Sequence, residues 1–362
     1  MSYLLEKYGS EIFVPDKKPA PANVARGEFK IAAVGLEHNH IYGMCSGLKD
    51  AGADIKWVYD RDEGKVADFI KRYPEAMPAR SEDEILSDPE VKLVCSADIT
   101  SERCGHGIRA MRAGKDFFSD KAPMTTLAQL DEARRTVAET GRKYMVYYSE
   151  RLHSEASVYA GQLISRGAIG RVLQTIGMGP HRENPPRPDW FYIKEKYGGT
   201  LCDIGSHQIE QFLFYTGAEN AAVVNSHTAN YAHPGHPELD DFGDANLVGD
   251  NGTSGYFRID WFTPRGLSTW GDGRMFILGT DGYIELRKYC NVGTREGGGQ
   301  VFLVDGDGEH HFNVSGDVGY PYFPELINDC INRTETAMSQ KHALLAAELC
   351  IRAQMMSTRI EG

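Results

Sequence analysis

The sequence lacks long apolar runs and an excess of positive charge. It contains no run of about 20 apolar residues, the length that a membrane-spanning helix requires. The formal net charge is −12 at pH 7, and a negative protein is repelled by nucleic acid and by anionic membrane surfaces. We therefore expect neither nucleic acid nor a membrane among its partners.

Cysteine pairs and an export signal are also missing from the sequence. The seven cysteines are odd in number and form no C-x-x-C pair, which is typical of reduced thiols and gives no zinc signature. The first residues carry acidic side chains early and lack the layout of a secretory signal. These features favour a cytoplasmic protein without a metal. The cysteines are Cys45, Cys95, Cys104, Cys202, Cys290, Cys330 and Cys350.

The composition and the order of apolar segments predict two domains after an arm. The chain has 362 residues, of which 41% are hydrophobic and 25% charged, as in globular proteins of about two domains. Prolines and lysines disfavour regular structure early in the chain, so we expect residues 1–28 to form an arm over the surface. Residues 29–150 alternate short strands with helices, which predicts a parallel sheet covered on both faces. Residues 151–362 are richer in strands with alternating polarity, which predicts a larger, mostly antiparallel open sheet.

The start of the first predicted domain is typical of a dinucleotide-binding βαβ unit. A strand ends in Gly35, a helical pattern follows, and a second strand ends at Asp60, 25 residues further on. In such units the helix N-terminus faces the pyrophosphate and the acid binds the ribose hydroxyls. A carboxylate at this place repels a 2′-phosphate, so Asp60 favours NAD, while the adjacent Arg61 would tolerate NADP.

The glycine signature of this turn is incomplete. Where G-x-G-x-x-G is expected, Glu37 and His40 replace the second and third glycines. A Glu37 carboxylate aimed at the pyrophosphate would repel it, so this side chain must point away if a dinucleotide binds. We expect Gly35, Glu37, His38, Asn39 and His40 to contact the cofactor. A plain βα turn, and for the histidines a helix-capping or solvent-facing role, remain alternatives.

A second stretch combines a glycine turn with polar residues in an apolar run. Gly198 and Gly199 suit a tight turn where the backbone approaches a ligand or another chain segment. Asp203, His207 and Gln211 recur every four residues, which places them on one stripe of a helix. A carboxylate one turn before an imidazole can orient the ring and favour its protonated form, which suits acid/base chemistry. The alternative is a buried helix with a structural His–Asp pair.

The stretch Gly179–Tyr192 is a proline-rich loop with aromatic and cationic side chains. Aromatic faces and fixed donors suit a sugar ring, which is apolar on its C–H faces and polar at its rim. A substrate loop and a surface loop packed by its own tryptophan are both open. The side chains concerned are His181, Arg182, Arg187, Trp190 and Tyr192.

Another loop carries groups that can bind metals. His233, His236, Asp240 and Asp241 lie within nine residues, but prolines and a glycine separate them. Such spacing favours a plain loop over a metal site. We predict no metal.

Two motifs resemble those of the Gfo/Idh/MocA oxidoreductases, the relatives of glucose–fructose oxidoreductase and inositol dehydrogenase. They are D-K-A-P at residues 120–123 and G-G-T-L-C-D-I-G-S-H at residues 198–207. The family has E-K-P after its fifth strand and G-G-G-x-x-x-D-x-G-x-H in its second domain. Here Asp120 replaces the glutamate, an alanine precedes the proline, and Thr200 replaces the third glycine. The likeness spans nearly everything after residue 28.

The resemblance implies a Rossmann NAD(P)-binding domain, here residues 29–150, and a C-terminal α+β domain, here residues 151–362, whose open sheet usually supports dimers or tetramers. The last helices are expected to pack back on the first domain. NAD is the implied cofactor, with NADP possible, and the implied substrate is a sugar, polyol or related hydroxy compound. Lys121 would be the active-site lysine, Asp203 its acidic companion and His207 the acid/base. The implied substrate contacts are Lys121, Tyr148, Arg151, His181, Trp190, Asp203 and His207, and Lys121 would also contact the cofactor.

These residues favour an NAD(P)-dependent oxidoreductase that transfers a hydride from or to a sugar-like carbinol. One alternative is redox-assisted elimination or hydrolysis, in which tightly held NAD transiently oxidises a sugar and is regenerated. The other is a dinucleotide-binding sensor without turnover, which the incomplete glycine turn favours and the intact Lys121, Asp203 and His207 oppose.

One predicted strand of the second domain carries an assembly prediction. Around residues 254–262, Phe257, Ile259 and Trp261 alternate with polar residues, so one face should be buried on the domain's own helices. The opposite face, with Tyr256, Arg258 and Phe262, then remains for another subunit, because a wide exposed sheet is rarely left bare. We expect a homodimer or a homotetramer.

Overall fold

A computed structural model describes residues 2–22, 24–184 and 187–361. Met1 and Asn23 of the predicted arm, Pro185 and Pro186 of the predicted substrate loop, and Gly362 lie outside the described residues. Within these ranges, no helix combines the length and apolarity needed to cross a bilayer.

The N-terminal segment forms more structure than the sequence predicts. Helix α1 (Ser2–Tyr8) and a 3-10 turn (Glu11–Phe13) precede an extended stretch. Tyr8 and Phe13 are buried against Phe312 of the second sheet, and the Tyr159 hydroxyl donates to the Phe13 carbonyl. The arm is therefore packed on the C-terminal layer, and the prediction missed its helix because prolines occur only after it.

A parallel sheet forms the N-terminal layer, and its described strands have the order β3-β2-β1-β4-β5-β6. Every neighbouring pair is parallel. This doubly wound Rossmann order opens a crevice at the carboxyl ends of the strands, where the order reverses beside β1. The strands are β1 (Lys30–Val34), β2 (Asp54–Tyr59), β3 (Met77–Pro78), β4 (Val91–Ser96), β5 (Asp116–Asp120) and β6 (Tyr144–Tyr147).

Helices connect these strands and begin where the sequence supplies caps. The side chain of Asp62 accepts the first N–H groups of α3, and Thr126 with Gln129 forms a capping box at the start of α6. Helix α5 begins four residues before its predicted start at Cys104. The helices are α2 (His40–Asp50), α3 (Glu63–Arg72), α4 (Glu82–Ser87), α5 (Thr100–Arg112) and α6 (Leu127–Thr140).

The C-terminal layer is an open sheet whose nine described strands have the order β16-β15-β12-β11-β7-β10-β9-β8-β17. Only the β7–β10 and β8–β17 pairs are parallel, so the sheet is mostly antiparallel, as predicted. A separate small ribbon pairs β13 with β14. The strands are β7 (Val172–Pro180), β8 (Ala221–Ala229), β9 (Phe242–Gly249), β10 (Ser254–Asp260), β11 (Arg274–Gly279), β12 (Tyr283–Arg287), β13 (Cys290–Asn291), β14 (Glu296–Gly297), β15 (Gln300–Val304), β16 (Glu309–Asn313) and β17 (Thr358–Ile360).

The second set of helices departs from the sequence prediction in two places. The helix predicted at Arg151–Gly167 is broken, because Ser154 caps a new helix by accepting the Ser157 N–H. The final helix ends at Met356, and β17 follows where helix was predicted to Arg359. These helices are α7 (Ser149–Leu152), α8 (Glu155–Ser165), α9 (Lys194–Tyr197), α10 (Thr200–Asp203), α11 (Gly205–Thr216), α12 (Tyr322–Asn332) and α13 (Gln340–Met356).

Helix α13 lies between the two layers. It packs on α6 and β6 of the first layer and on α10, α11 and β8 of the second. The Gln340 side chain bonds both the N–H and the carbonyl of Tyr144, and Arg134 pairs with Glu348 at 2.6 Å. One buried apolar cluster therefore continues from β1 through α13 to β10, and it fixes the cleft between the layers.

Candidate active site

A salt bridge joins the two layers at the carboxyl end of the parallel sheet. Lys121 follows β5 directly, and its ammonium lies 2.5 Å from Asp203 Oδ1 at the end of α10. Only 4% of the Lys121 side chain is exposed. Burial raises the pKa of Asp203, but the adjacent ammonium and its hydrogen bond outweigh that effect and lower the pKa to about 2. The Asp203 carboxylate is thus charged at neutral pH.

The glycine turn before α10 serves the approach of another chain segment. Gly198 and Gly199 have φ of 86° and 87°, a conformation that favours glycine. A Cβ on Gly199 would lie 2.1 Å from the Gln354 side chain of α13. Gln354 Oε1 accepts the Leu201 N–H at 3.0 Å, so α13 holds the start of α10 and with it the position of Asp203.

His207 lies one turn after Asp203 in a dry part of the cleft. It is 1% exposed, and its Nδ1 has no hydrogen-bond partner in the described part of the chain. Desolvation lowers its pKa well below 6.5; the Glu150 carboxylate opposes this, while Lys121 and other histidines add to it. The expectation that Asp203 keeps this ring protonated is wrong, because the Asp203 carboxylate is bound by Lys121. His207 is neutral near pH 7.

Glu150 is the anion that acts most strongly on the His207 ring. Its Oε2 accepts from Lys288 at 2.8 Å and from Gln208 at 3.0 Å, while its Oε1 is buried without a partner in the described chain. Burial raises the pKa of Glu150, but Lys288 and the neighbouring histidines lower it to about 2. Sequence reasoning missed this residue, because no motif marks an acid at that position.

Two histidines of the incomplete glycine turn converge on Asp120. His38 Nδ1 lies 2.9 Å from Asp120 Oδ2, and His40 Nδ1 lies 2.8 Å from Asp120 Oδ1. Arg103 lies 3.2 Å from the same carboxylate. Burial raises the pKa of Asp120, and His40, Arg103 and His38 together hold it well below 3.8. The sequence did not predict this convergence.

The same three groups have the spacing of a metal triad. One ligand atom from each of His38, His40 and Asp120 lies within 4.8 Å of the other two. The Asp120 charge is already balanced by Arg103, and His40 Nδ1 makes a hydrogen bond with Asp120 Oδ1. Asp120 Oδ2 lies 2.9 Å from His38 Nδ1 but has no hydrogen-bond partner in the described chain. The absence of a metal therefore stays a prediction at this cluster.

The turn after β1 has the features that a dinucleotide pyrophosphate requires. Gly35 has φ of 70°, and a Cβ there would lie 2.4 Å from Asp98 Cβ, so only glycine fits. Helix α2 begins at His40, directly after Asn39, and its N-terminus attracts anions. Asp60 ends the neighbouring strand beside this turn, and its Oδ2 accepts the Leu36 N–H at 2.6 Å. These residues fit NAD or NADP.

Glu37 does not leave an unpartnered carboxylate in this turn. Lys65 of α3 donates to its Oε1, and Trp190 Nε1 donates to its Oε2 at 3.0 Å. The Glu37 carboxylate, which must point away from a bound pyrophosphate, is thus held by Lys65 and Trp190. They also tie the first layer to the loop before α9. The neighbouring Arg61 is exposed.

The predicted substrate contacts divide into two groups. His181 lies in the cleft beside Trp270, with ring centroids 4.5 Å apart, and burial lowers its pKa to about 4. Tyr148 is fully buried and donates to the Ala343 carbonyl, and Arg151 bonds Glu210 at 2.7 Å. These polar groups are used inside the C-terminal layer, and substrate binding by Tyr148 and Arg151 stays a prediction.

The histidine-containing loop after β8 fastens the loop before α9. His233 lies 2.8 Å from Asp241 and 2.9 Å from Glu183, and the His236 ring stacks on Tyr192 at 3.7 Å. These polar groups already have protein partners, so the geometry supports a plain structural loop.

Two family models match the sequence. One, described as an oxidoreductase family with an NAD-binding Rossmann fold, covers residues 29–148, and the GFO/IDH/MocA C-terminal domain covers residues 158–285. A crystal structure from Erwinia carotovora atroseptica SCRI1043, described only in general terms as an oxidoreductase, is 53% identical. It covers 92% of this chain and 100% of its own, with a TM-score of 0.90.

Curated relatives are more distant. D-xylose dehydrogenase of Paenarthrobacter nicotinovorans is 28% identical over 41% of this chain and 39% of the relative. The NADP(+) scyllo-inositol 2-dehydrogenase of Bacillus subtilis is 28% identical over 56% of this chain and 57% of the relative. The NAD(+) scyllo-inositol 2-dehydrogenase of the same strain is 25% identical over 77% of this chain and 80% of the relative. The chain thus spans about two fifths of the length of the xylose dehydrogenase and under three fifths of the length of the NADP(+) inositol dehydrogenase.

Proposed function

Because the chain belongs to the GFO/IDH/MocA family of NAD(P)-binding oxidoreductases, we propose that it moves a hydride between a nicotinamide dinucleotide and a carbinol carbon of a sugar or polyol. Residues 29–150 form the cofactor-binding unit of this proposal, and residues 151–362 the substrate and assembly unit. The observation that carries it is the buried Lys121–Asp203 pair in one cleft with a neutral His207. Such a trio supplies a cation and a base to one reacting oxygen.

The roles follow from charge. When bound, the nicotinamide ring accepts or returns the hydride. The Lys121 ammonium stabilises the negative charge that develops on the carbinol oxygen, and Asp203 holds that ammonium in place. Neutral His207 accepts the hydroxyl proton during oxidation and returns it during reduction. The buried Glu150 carboxylate then stabilises the imidazolium that forms.

The cofactor preference is set at Asp60. Its carboxylate lies beside the turn that receives the pyrophosphate, where it accepts ribose hydroxyls and repels a 2′-phosphate. We therefore assign NAD as the preferred cofactor. The two named inositol dehydrogenases of Bacillus subtilis use NAD(+) and NADP(+) respectively, so the family supports either.

The substrate class rests on the cleft walls and on the relatives. His181 and Trp270 form an aromatic pair in the cleft, which suits the C–H faces of a sugar ring. Relatives that share the family act on xylose and inositol. A carbinol of similar size fits the same roles.

The test is a screen of sugars, polyols and sugar acids for reduction of NAD and NADP, run beside mass spectrometry of the products. We expect NADH to appear with at least one compound and to fail to appear in the His207→Ala variant. A changed product without net NADH would instead support redox-assisted elimination. Dinucleotide binding with neither NADH nor product across the screen would support a sensor.

A further inference from the structure

Arg187 is a cation that packs on two adjacent aromatic rings. Its guanidinium carbon lies 4.5 Å from the Phe191 ring centroid and 4.7 Å from the Trp261 ring centroid. Those two rings meet nearly edge to face, at 82°. Stacking of this kind restrains the planar guanidinium before any ligand arrives.

This cation has no protein anion of its own. Its Nε is buried without a hydrogen-bond partner, and no carboxylate lies within 4.0 Å of it in the described chain. The acids that act most strongly on it are Asp203 and Glu183. Asp203 is bound by Lys121, and Glu183 by His233 and Tyr192. A buried donor without a hydrogen-bond partner costs free energy, so this position favours a group that accepts from it.

A second hydrogen-bond donor without a partner belongs to the same cluster. Trp261 is 6% exposed, and its Nε1 has no partner among the described residues, although its ring contacts Arg187. Two residues further along the chain, the Thr263 hydroxyl is buried and has no hydrogen-bond partner among the described residues either. Donors without acceptors around one cation call for a ligand that is rich in acceptors and negatively charged.

We propose that Arg187 receives the carboxylate of an anionic substrate, a uronate or aldonate, whose reacting carbinol lies at Lys121. This inference rests on the proposed function. The Trp261 ring under Arg187 also contacts the His181 ring of the cleft, with centroids 5.5 Å apart, so Arg187 lies on the same cleft. The charges favour a monoanion: Lys121 and Asp203 cancel, His181 and His207 are neutral, and Arg187 leaves a single positive charge. The pyrophosphate of the cofactor is the other source of an oxyanion in this cleft.

The experiment compares substrates that differ in one group. D-glucose is paired with D-glucuronate and D-gluconate, and D-galactose with D-galacturonate, and kcat/KM is measured from NADH formation. We expect the acids to exceed their neutral partners by at least about tenfold, because the desolvated guanidinium selects for charge. Equal or better turnover of the neutral sugars would overturn the proposal.

Two substitutions separate the possible anions. Arg187→Met removes the charge and keeps an apolar stem, and Arg187→Lys keeps the charge without the planar fork. We expect Arg187→Met to lower kcat/KM for the acids at least about 30-fold, the lower end for truncating a buried charge pair. Turnover of neutral sugars and the Kd for NADH should change less than about threefold. Arg265→Met, at an exposed position, is the matched control. We expect it to change neither kcat/KM nor the Kd for NADH.

The remaining outcomes also support or refute the proposal. A loss of NADH affinity in Arg187→Met, with the acid preference intact, would assign the guanidinium to the cofactor and refute the substrate role. If no compound is oxidised, calorimetric titration of D-glucuronate into the NADH complex replaces kinetics. If D-glucuronate binds the unmodified protein and Arg187→Met abolishes this binding, the proposal is supported even though the proposed function would fail. Absence of binding refutes it. Thermal melting of both variants reports whether they fold.

Discussion

Lys121 Nζ and Asp203 Oδ1 meet at 2.5 Å across the two layers of the protein. Lys121 is carried by the end of a parallel strand, and Asp203 by a short helix that α13 holds through Gln354. This bond therefore couples the first layer to the layer that presents His207, beside the contacts that α13 makes with both. Any displacement of one layer changes the position of both groups.

Lys121→Ala and His207→Ala should each lower turnover at least about a hundredfold, since a positioned acid or base contributes about 10² to 10⁴ in rate. The Kd for NAD should change little, because neither side chain bonds the turn around Gly35. Steady-state rates with an identified substrate, paired with NAD titrations, are the measurement. Lys71→Ala, at an exposed helix position, is the control. Near-normal turnover in both variants would remove these residues from the reacting centre.

Asp203→Asn should act through Lys121 and not through the imidazole. The folded carboxyl has a pKa of about 2, below its unfolded value, so its stabilisation is present above about pH 4 and fades as the pH falls toward 2. At pH 7 the free energy of unfolding of the variant should therefore be about 2 kcal/mol lower than that of the unmodified protein. Urea unfolding measures this. Turnover should fall less than in Lys121→Ala, because an amide oxygen still accepts from the ammonium.

Local patterns were enough to predict most helices and strands, and the paired motifs were enough to bring Lys121, Asp203 and His207 to one site. The family resemblance paired Asp203 with Lys121, but the acid beside His207 was not predictable, because it depends on contacts distant in sequence. Asp203 belongs to Lys121 across the cleft, and His207 faces Glu150, which no motif marks. Strand β16 was missed because its residues, Glu309–Asn313, show no apolar alternation. It is placed only by pairing with β15.

The cofactor preference can be tested at Asp60 with a matched pair of substitutions. Asp60→Ala removes both the charge and the acceptor of the Leu36 N–H, whereas Asp60→Asn removes only the charge. If repulsion of a 2′-phosphate sets the preference, both variants should gain NADP affinity relative to NAD, by about tenfold. Calorimetric titration with both nucleotides decides it. Tighter binding of NADP by the unmodified protein would contradict the assignment.

Stability should also depend on pH through His106. Its Nε2 lies 2.7 Å from Asp98 and its Nδ1 2.9 Å from Glu82. Burial lowers the pKa of His106, but these two hydrogen bonds outweigh that effect and raise it to about 9. A raised pKa means that the stabilisation is complete below about pH 6.5 and is lost as the pH rises through 9.

The measurement is the free energy of unfolding in urea between pH 6 and 9.5. The native protein should lose up to about 3 kcal/mol over this range, at about 1.4 kcal/mol for each unit of pKa shift. His106→Gln should show a flatter profile, because it cannot release a proton. The same slope in both proteins would show that His106 is not protonated in the fold.

The outer face of the C-terminal sheet should bind a second copy of the chain. Neighbouring strands present Ile176, Phe276, Leu278 and Tyr283 there, between 38% and 45% exposed, and Phe276 lies directly opposite Ile176. Phe257, Ile259 and Trp261 are buried on the inner face, while Phe262 is exposed. A contiguous apolar strip on an open sheet is characteristic of a subunit interface.

We therefore expect a dimer or tetramer by light scattering at micromolar concentration, and a monomer for Phe276→Lys combined with Leu278→Lys. Charged side chains directly across a symmetric interface repel each other and lose their hydration, so the double variant should dissociate without unfolding. Tyr3→Lys, an exposed aromatic on α1, is the control and should leave the mass unchanged. A monomeric mass for the unmodified protein would refute the predicted assembly, and an unchanged oligomer in the double variant would place the assembly surface elsewhere.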